Sequence, residues 1–188
     1  MFLSFITFLG SIVLALYILI DLISNRFKNI KKRIIFYSFI FYLIHVVHFT
    51  VGILFYPPIE DTYVKIQFIP FYFIYDLYLL NDRGNSWYFW NAVKLSFFNL
   101  IMLLPLGAYL SLLFRINSIK KAIFITFLVS LFIESYQLIL ESLGFTVGRT
   151  FNVDDLILNT LGGLVGFVMF SWGWKTYNSV TNYKRKSA

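Results

Sequence analysis

Carboxylate, amide and guanidinium side chains are grouped in the last third of this sequence, within segments that are otherwise apolar. Glu134 and Gln137 recur at i and i+3, so a helix would place both on one face. Asp155 and Asn159 recur at i and i+4 on a second helical face, and Arg149 lies in the loop between the two segments. A guanidinium suits bidentate binding of phosphate, and a carboxylate suits proton transfer. The pattern therefore predicts either an anion-binding site or a catalytic one.

An earlier amide and a second aspartate complete the candidate set. The candidate binding residues are Asn99, Glu134, Gln137, Arg149, Asp154, Asp155 and Asn159. The sequence has no Ser-His-Asp order, no glycine-rich nucleotide loop and no compact run of metal ligands. We therefore assign no catalytic residue, no metal ligand and no cofactor, and a binding site is the first interpretation.

A structural explanation competes with this interpretation. Amides commonly hydrogen-bond between membrane helices, and Arg149 would pair with one of the two aspartates and hold the loop in place. For Glu134 we favour a functional role, because a carboxyl group inside a membrane is costly. The glycines Gly162, Gly163 and Gly166 are typical of a helix-packing surface.

The composition indicates a membrane protein. Of the 188 residues, 59% are apolar and 13% are charged, and the mean hydropathy is +0.75. Such a chain cannot bury its apolar surface as a soluble globule, so we predict an all-α, polytopic integral membrane bundle. The absence of cysteine excludes disulfides and thiolate metal sites. The net charge of +7 is concentrated in short loops, which is a topology signal and argues against nucleic acid as a partner.

About five apolar stretches are long enough to cross a bilayer, which requires about twenty residues. The predicted spans are 2–23, 34–55, 95–114, 122–143 and 155–174. One further apolar stretch, 66–80, is short for a span and contains Pro70 and Asp76. We predict that it is an interfacial or re-entrant segment. The implied organisation is an N-terminal transmembrane hairpin at 1–64, a membrane domain at 65–174 and a basic cytoplasmic tail at 175–188.

The loop charges predict how the chain is oriented in the cell membrane. Twelve of the 16 lysines and arginines lie in three segments: the link before the second span, the link before the fourth span, and the tail. Basic residues accumulate in cytoplasmic loops, so we predict a multi-pass protein with its N-terminus outside and its C-terminus in the cytoplasm. This topology places the candidate residues on the extracytoplasmic side.

The polar motifs resemble those of a known family. They form the patterns E-x-x-Q, then G-R-x-F-x-x-x-D-L-x-x-N-T-x-G, preceded by N-x-x-x-x-x-P-x-G. The residues that carry them are Glu134 and Gln137; Gly148, Arg149, Phe151, Asp155, Leu156, Asn159, Thr160 and Gly162; and Asn99, Pro105 and Gly107. Over roughly residues 65 to 172 the chain resembles the VanZ-like family of bacterial membrane proteins. It departs from that pattern at Asn152, where many members carry aspartate.

The resemblance implies a function in the cell envelope. Its named member is associated with resistance to the glycopeptide teicoplanin, so glycopeptide resistance or envelope homeostasis is the expectation. The implied partners, besides the lipid bilayer, are a glycopeptide antibiotic, a lipid-linked cell-wall precursor or a partner protein. Two alternatives stay open: a membrane enzyme that acts on a lipid-linked phosphate or wall precursor, and a structural or partner-binding membrane subunit.

Overall fold

A computed structural model describes residues 2–25, 28–60 and 62–186, with side chains described from residue 7 to residue 173 within those ranges. Part of the predicted basic tail, 175–188, therefore lies outside the described residues, as do all of its side chains. Arg26, which contributes to the first basic link, and Asp61 lie outside them as well.

Helices make up most of the described chain. In order, the elements are α1 (Phe2–Asn25), α2 (Ile30–Val51), β1 (Lys65–Gln67), α3 (Tyr72–Asp82), α4 (Ser86–Met102), α5 (Leu104–Leu112), α6 (Ile119–Ser142), β2 (Thr150–Asn152) and α7 (Val153–Lys186). The two strands form a parallel pair with Ile66 opposite Phe151 and Gln67 opposite Asn152. Three-residue strands leave no alternation in the sequence from which they could be predicted.

Five helical segments within the described residues are long and apolar enough to cross a membrane. They are Thr7–Asn25, Ile30–Val51, Ser86–Leu112, Ile119–Ser142 and Val153–Gly173. The prediction of an all-α, multi-pass membrane bundle with five spans is confirmed. Helix α3 has 11 residues and is about 16 Å long, which is too short for a hydrocarbon core of about 30 Å.

The third span differs from the prediction in its start and its continuity. It begins at Ser86 instead of Leu95, because the aromatic run after Asn85 is already helical. It also consists of two helices, since α4 ends at Met102 and α5 begins at Leu104 with Pro105 in its first turn. Proline lacks a backbone N–H, so it is tolerated in a first turn and interrupts a helix elsewhere.

The chain divides into two compact units. Unit 1 comprises Met1–Pro70 and Leu131–Val153, and unit 2 comprises Phe71–Ser130 and Asp154–Ala188. In unit 1, α1 packs against α2 and the two strands pair. In unit 2, α3 and α4 form a helical hairpin around Gly84, whose positive φ of 65° suits glycine.

Close helix contacts in unit 2 depend on glycines of α7. A Cβ atom at Gly162 would overlap the carbonyl oxygen of Leu100, and one at Gly166 would overlap that of Leu104. Gly163 contributes its own carbonyl oxygen to the space beside Gly107. These glycines let helix backbones approach each other closely, which is the packing role predicted for them.

Candidate functional site

The C-terminal end of α2, in unit 1, receives two of the candidate side chains. Gln137 Nε2 donates to the carbonyl oxygen of Thr50 at 2.7 Å, and Arg149 Nη2 donates to that of Phe49 at 3.2 Å. The last carbonyls of a helix have no partner within the helix, and such groups are costly near a membrane interior. Gln137 and Arg149 therefore cap α2 from a distant part of the chain.

A glycine at the end of α2 leaves room for the Arg149 side chain. Gly52 follows α2 with a φ of 72°, a left-handed conformation that favours glycine. A Cβ atom at Gly52 would lie only 2.6 Å from Arg149 Nη2. The guanidinium thus lies where the side chain of any other residue at position 52 would collide with it.

Glu141 holds the loop that carries Arg149. Its carboxylate accepts hydrogen bonds from the Gly148 nitrogen at 2.9 Å, the Arg149 nitrogen at 3.2 Å and Thr146 Oγ1 at 3.1 Å. Glu141 is 3% exposed, so these three donors compensate for its burial. It was not among the predicted site residues, although its spacing of seven residues from Glu134 placed it on the same helical face.

Glu134 lies on α6 and binds the end of β2 within unit 1. It is 3% exposed, and its Oε2 accepts a hydrogen bond from the backbone nitrogen of Asn152 at 3.2 Å. Asn152 ends β2 and directly precedes α7. This hydrogen bond offsets part of the cost of burying the carboxylate.

Asp154, in unit 2, binds the beginning of α3. Its two carboxylate oxygens accept hydrogen bonds from the Phe71 nitrogen at 2.5 Å and the Phe73 nitrogen at 2.8 Å. Phe71 is the N-cap of α3, has a φ of 62° and cannot cap the helix with its own side chain. Asp154, 1% exposed, supplies the missing acceptor from α7.

Asn159 makes a different kind of contact inside unit 2. Its Nδ2 donates to Ser130 Oγ at 3.1 Å, and both residues are fully buried. Within the described residues its Oδ1 has no hydrogen-bond partner. Asn99 is half-buried on α4, and Asp155 is half-buried in the first turn of α7.

The seven predicted residues thus fall into two sets. Unit 1 contains Glu134, Gln137 and Arg149, and unit 2 contains Asn99, Asp154, Asp155 and Asn159. Four of the seven bind main-chain groups at or next to helix ends, an arrangement that sequence spacing did not reveal because the bound groups come from remote segments. Within unit 1 the guanidinium of Arg149 donates to the main-chain carbonyl oxygen of Phe49.

This geometry limits the chemistry that the residues can perform. Both oxygens of Asp154 and both oxygens of Glu141 already accept hydrogen bonds. Among the described residues no group of three or more His, Asp or Glu side chains is arranged to hold a metal ion. Arginine has five N–H donors, and the described hydrogen bond of Arg149 uses one of them.

Comparisons with known proteins agree with the motifs. No curated protein and no solved structure matches the chain. The model of the VanZ/LLP1 family matches residues 39–174, which extends from within α2 to within α7. The match therefore includes most of the second span as well as every candidate residue. Since it covers more than half of the sequence, the chain belongs to the VanZ/LLP1 family of membrane proteins.

Proposed function

We propose that this VanZ-family protein binds an anionic cell-envelope ligand on the extracytoplasmic side and thereby contributes to glycopeptide (teicoplanin) resistance or envelope homeostasis. The observation that carries the proposal is the position of Arg149. Its guanidinium lies at the end of the spanning helix α2 and has N–H donors beyond the one directed to Phe49. A guanidinium with free donors suits carboxylate or phosphate groups of a ligand.

A binding role is favoured over a catalytic one. A general base needs an oxygen that can reach substrate, whereas the oxygens of Glu141 and Asp154 accept main-chain or hydroxyl hydrogens. Glu141 fixes the backbone of the loop that carries Arg149, and Asp154 fixes the start of α3 in unit 2. Arg149 is the group that a ligand would contact.

The charges of the opposite helix ends support the proposed extracytoplasmic location. Lys28, Lys31 and Lys32 lie where α1 meets α2, and Arg115 and Lys120 lie where α5 meets α6. By the positive-inside rule these turns are cytoplasmic. The loop with Arg149 is reached after one further span, so it belongs on the other side. Teicoplanin carries an acyl chain that brings it to the membrane surface, where this loop would meet it.

Growth inhibition by teicoplanin and vancomycin, in a strain without its own homologue, tests the proposal. Arg149→Lys keeps the positive charge but loses the planar fork, so we expect reduced teicoplanin protection with normal accumulation in the membrane. Glu134→Gln keeps an acceptor for the Asn152 nitrogen, removes the charge and should also lower protection. Arg83→Lys, at an exposed position after α3, is the matched control. Equal susceptibility of the wild type, both variants and the empty vector would refute the resistance role.

A further inference from the structure

A basic patch lies where α1 and α2 meet, outside the part of the chain that the family model matches. It consists of Lys28, Lys31 and Lys32, all exposed. The spans Thr7–Asn25 and Ile30–Val51 end and begin at this turn, so the patch lies at a membrane surface. Phosphate groups of the headgroup layer lie at the same depth.

The acidic residue nearest to the patch in sequence, Asp21, is already paired with an arginine. Asp21 is the only acidic residue among residues 1–59. It forms an ion pair with Arg33, whose Nε donates to Asp21 Oδ2 at 2.6 Å, and it accepts hydrogen bonds from Tyr37 and Asn25. Within the described residues none of the three lysines has an acidic partner.

The same ion pair also shapes the turn. Arg33 Nη1 donates to the carbonyl oxygen of Lys28 at 3.4 Å, and Arg33 Nε lies 3.1 Å from the Tyr37 hydroxyl. Arg33 therefore connects α1, the turn and α2 within unit 1. The Lys28 carbonyl is thus held by the same side chain that pairs with α1, so Lys28 lies beside the start of α2 with Lys31 and Lys32.

The positions of Lys31 and Lys32 are not explained by helix stability. Both lie in the first turn of α2, where the partial positive charge of the helix end disfavours cations. Three exposed lysines next to one another also repel each other. An anion at this position would remove both penalties.

We propose that Lys28, Lys31 and Lys32 form a binding site for the phosphate headgroup of an anionic glycerophospholipid. The charge complementarity and the depth of the patch favour a lipid that is already in the membrane over a soluble anion. Lysine side chains can extend along the interface and bring their ammonium groups to phosphate oxygens. The bound lipid would fasten the first helical hairpin to the bilayer surface.

Titration of the purified full-length protein with phosphatidylglycerol and with phosphatidylcholine, counted by native mass spectrometry, tests this site. We expect the tightest phosphatidylglycerol to bind the wild type more strongly than phosphatidylcholine does. Lys28→Gln, Lys31→Gln and Lys32→Gln together should weaken that binding by about tenfold or more. The triple arginine variant at the same positions should retain it, because the charge remains.

A matched triple variant controls for charge alone. Lys65→Gln, Arg83→Gln and Lys94→Gln remove three positive charges from other exposed positions and should leave the tightest lipid in place. Equal weakening by both glutamine triples would overturn the proposal, as would unchanged binding in the triple of the basic patch. If that triple does not fold, the three single glutamine variants serve instead, and no weakening in any of them would also overturn the proposal.

Discussion

Removal of the Asp154 carboxylate should release the start of α3. In Asp154→Ala the backbone nitrogens of Phe71 and Phe73 lose acceptors at 2.5 and 2.8 Å. The Asp154 side chain is almost fully buried, but both hydrogen bonds are only partly buried. An N–H left without an acceptor costs about 1 to 3 kcal/mol when buried, so for two partly buried groups we expect a loss of about 3 kcal/mol in unfolding free energy. For a chain of this size that corresponds to a fall of about 6 to 12 °C in Tm.

Two further measurements make the test specific: the stability of Asp154→Asn, and hydrogen exchange at the backbone N–H groups of Phe71 and Phe73. Asp154→Asn keeps one acceptor but turns an amide NH₂ towards the other N–H, so its loss should be smaller than that of alanine. Hydrogen exchange at the Phe71 and Phe73 amides should accelerate in both variants. Asp76→Ala, on the exposed side of α3, is the control and should change the free energy by less than about 0.5 kcal/mol. Unchanged Tm and unchanged exchange in Asp154→Ala would refute the capping role.

Three further predictions concern the loop that carries Arg149, the packing of Gly162 and the membrane topology. Glu141→Gln should lower Tm and accelerate exchange of the loop amides, because an amide offers one acceptor oxygen to three donors; a wild-type exchange pattern would contradict this. Gly162→Ala should be strongly destabilising in detergent, since its Cβ would overlap the Leu100 carbonyl oxygen, and an unchanged Tm would contradict the close contact. In this cysteine-free chain, Val147→Cys should react with an impermeant maleimide in intact cells and Lys31→Cys only after permeabilisation; the reverse pattern would invert the topology.

The spans could be predicted because membrane insertion depends on local composition. A run of about twenty apolar residues is sufficient evidence by itself, and the 66–80 stretch was identified as too short by the same criterion. The predicted positions of the helix ends were less accurate than the number of spans. The start at Ser86 depends on aromatic residues that fit either a helix or an interfacial loop.

The roles of the polar residues could not be predicted in the same way. Spacing showed that Gln137 and Glu141 share a helical face, but it did not show which groups they bind. Gln137 binds the Thr50 carbonyl and Asp154 binds the Phe71 nitrogen, both across long stretches of sequence. A helix end without a local cap is visible in the sequence, whereas the residue that replaces the cap depends on tertiary structure.

The capping of α2 has a consequence for biosynthesis. The carbonyls of Phe49 and Thr50 are made early, but Gln137 follows Thr50 by 87 residues and Arg149 follows Phe49 by 100 residues. At a synthesis rate of about 5 to 20 residues per second, the ribosome adds these partners roughly 5 to 20 seconds later. During that interval the hydrogen bonds to these two carbonyl oxygens must come from lipid headgroups, water or a membrane chaperone. A chain truncated before Gln137 would leave both carbonyls permanently without these partners.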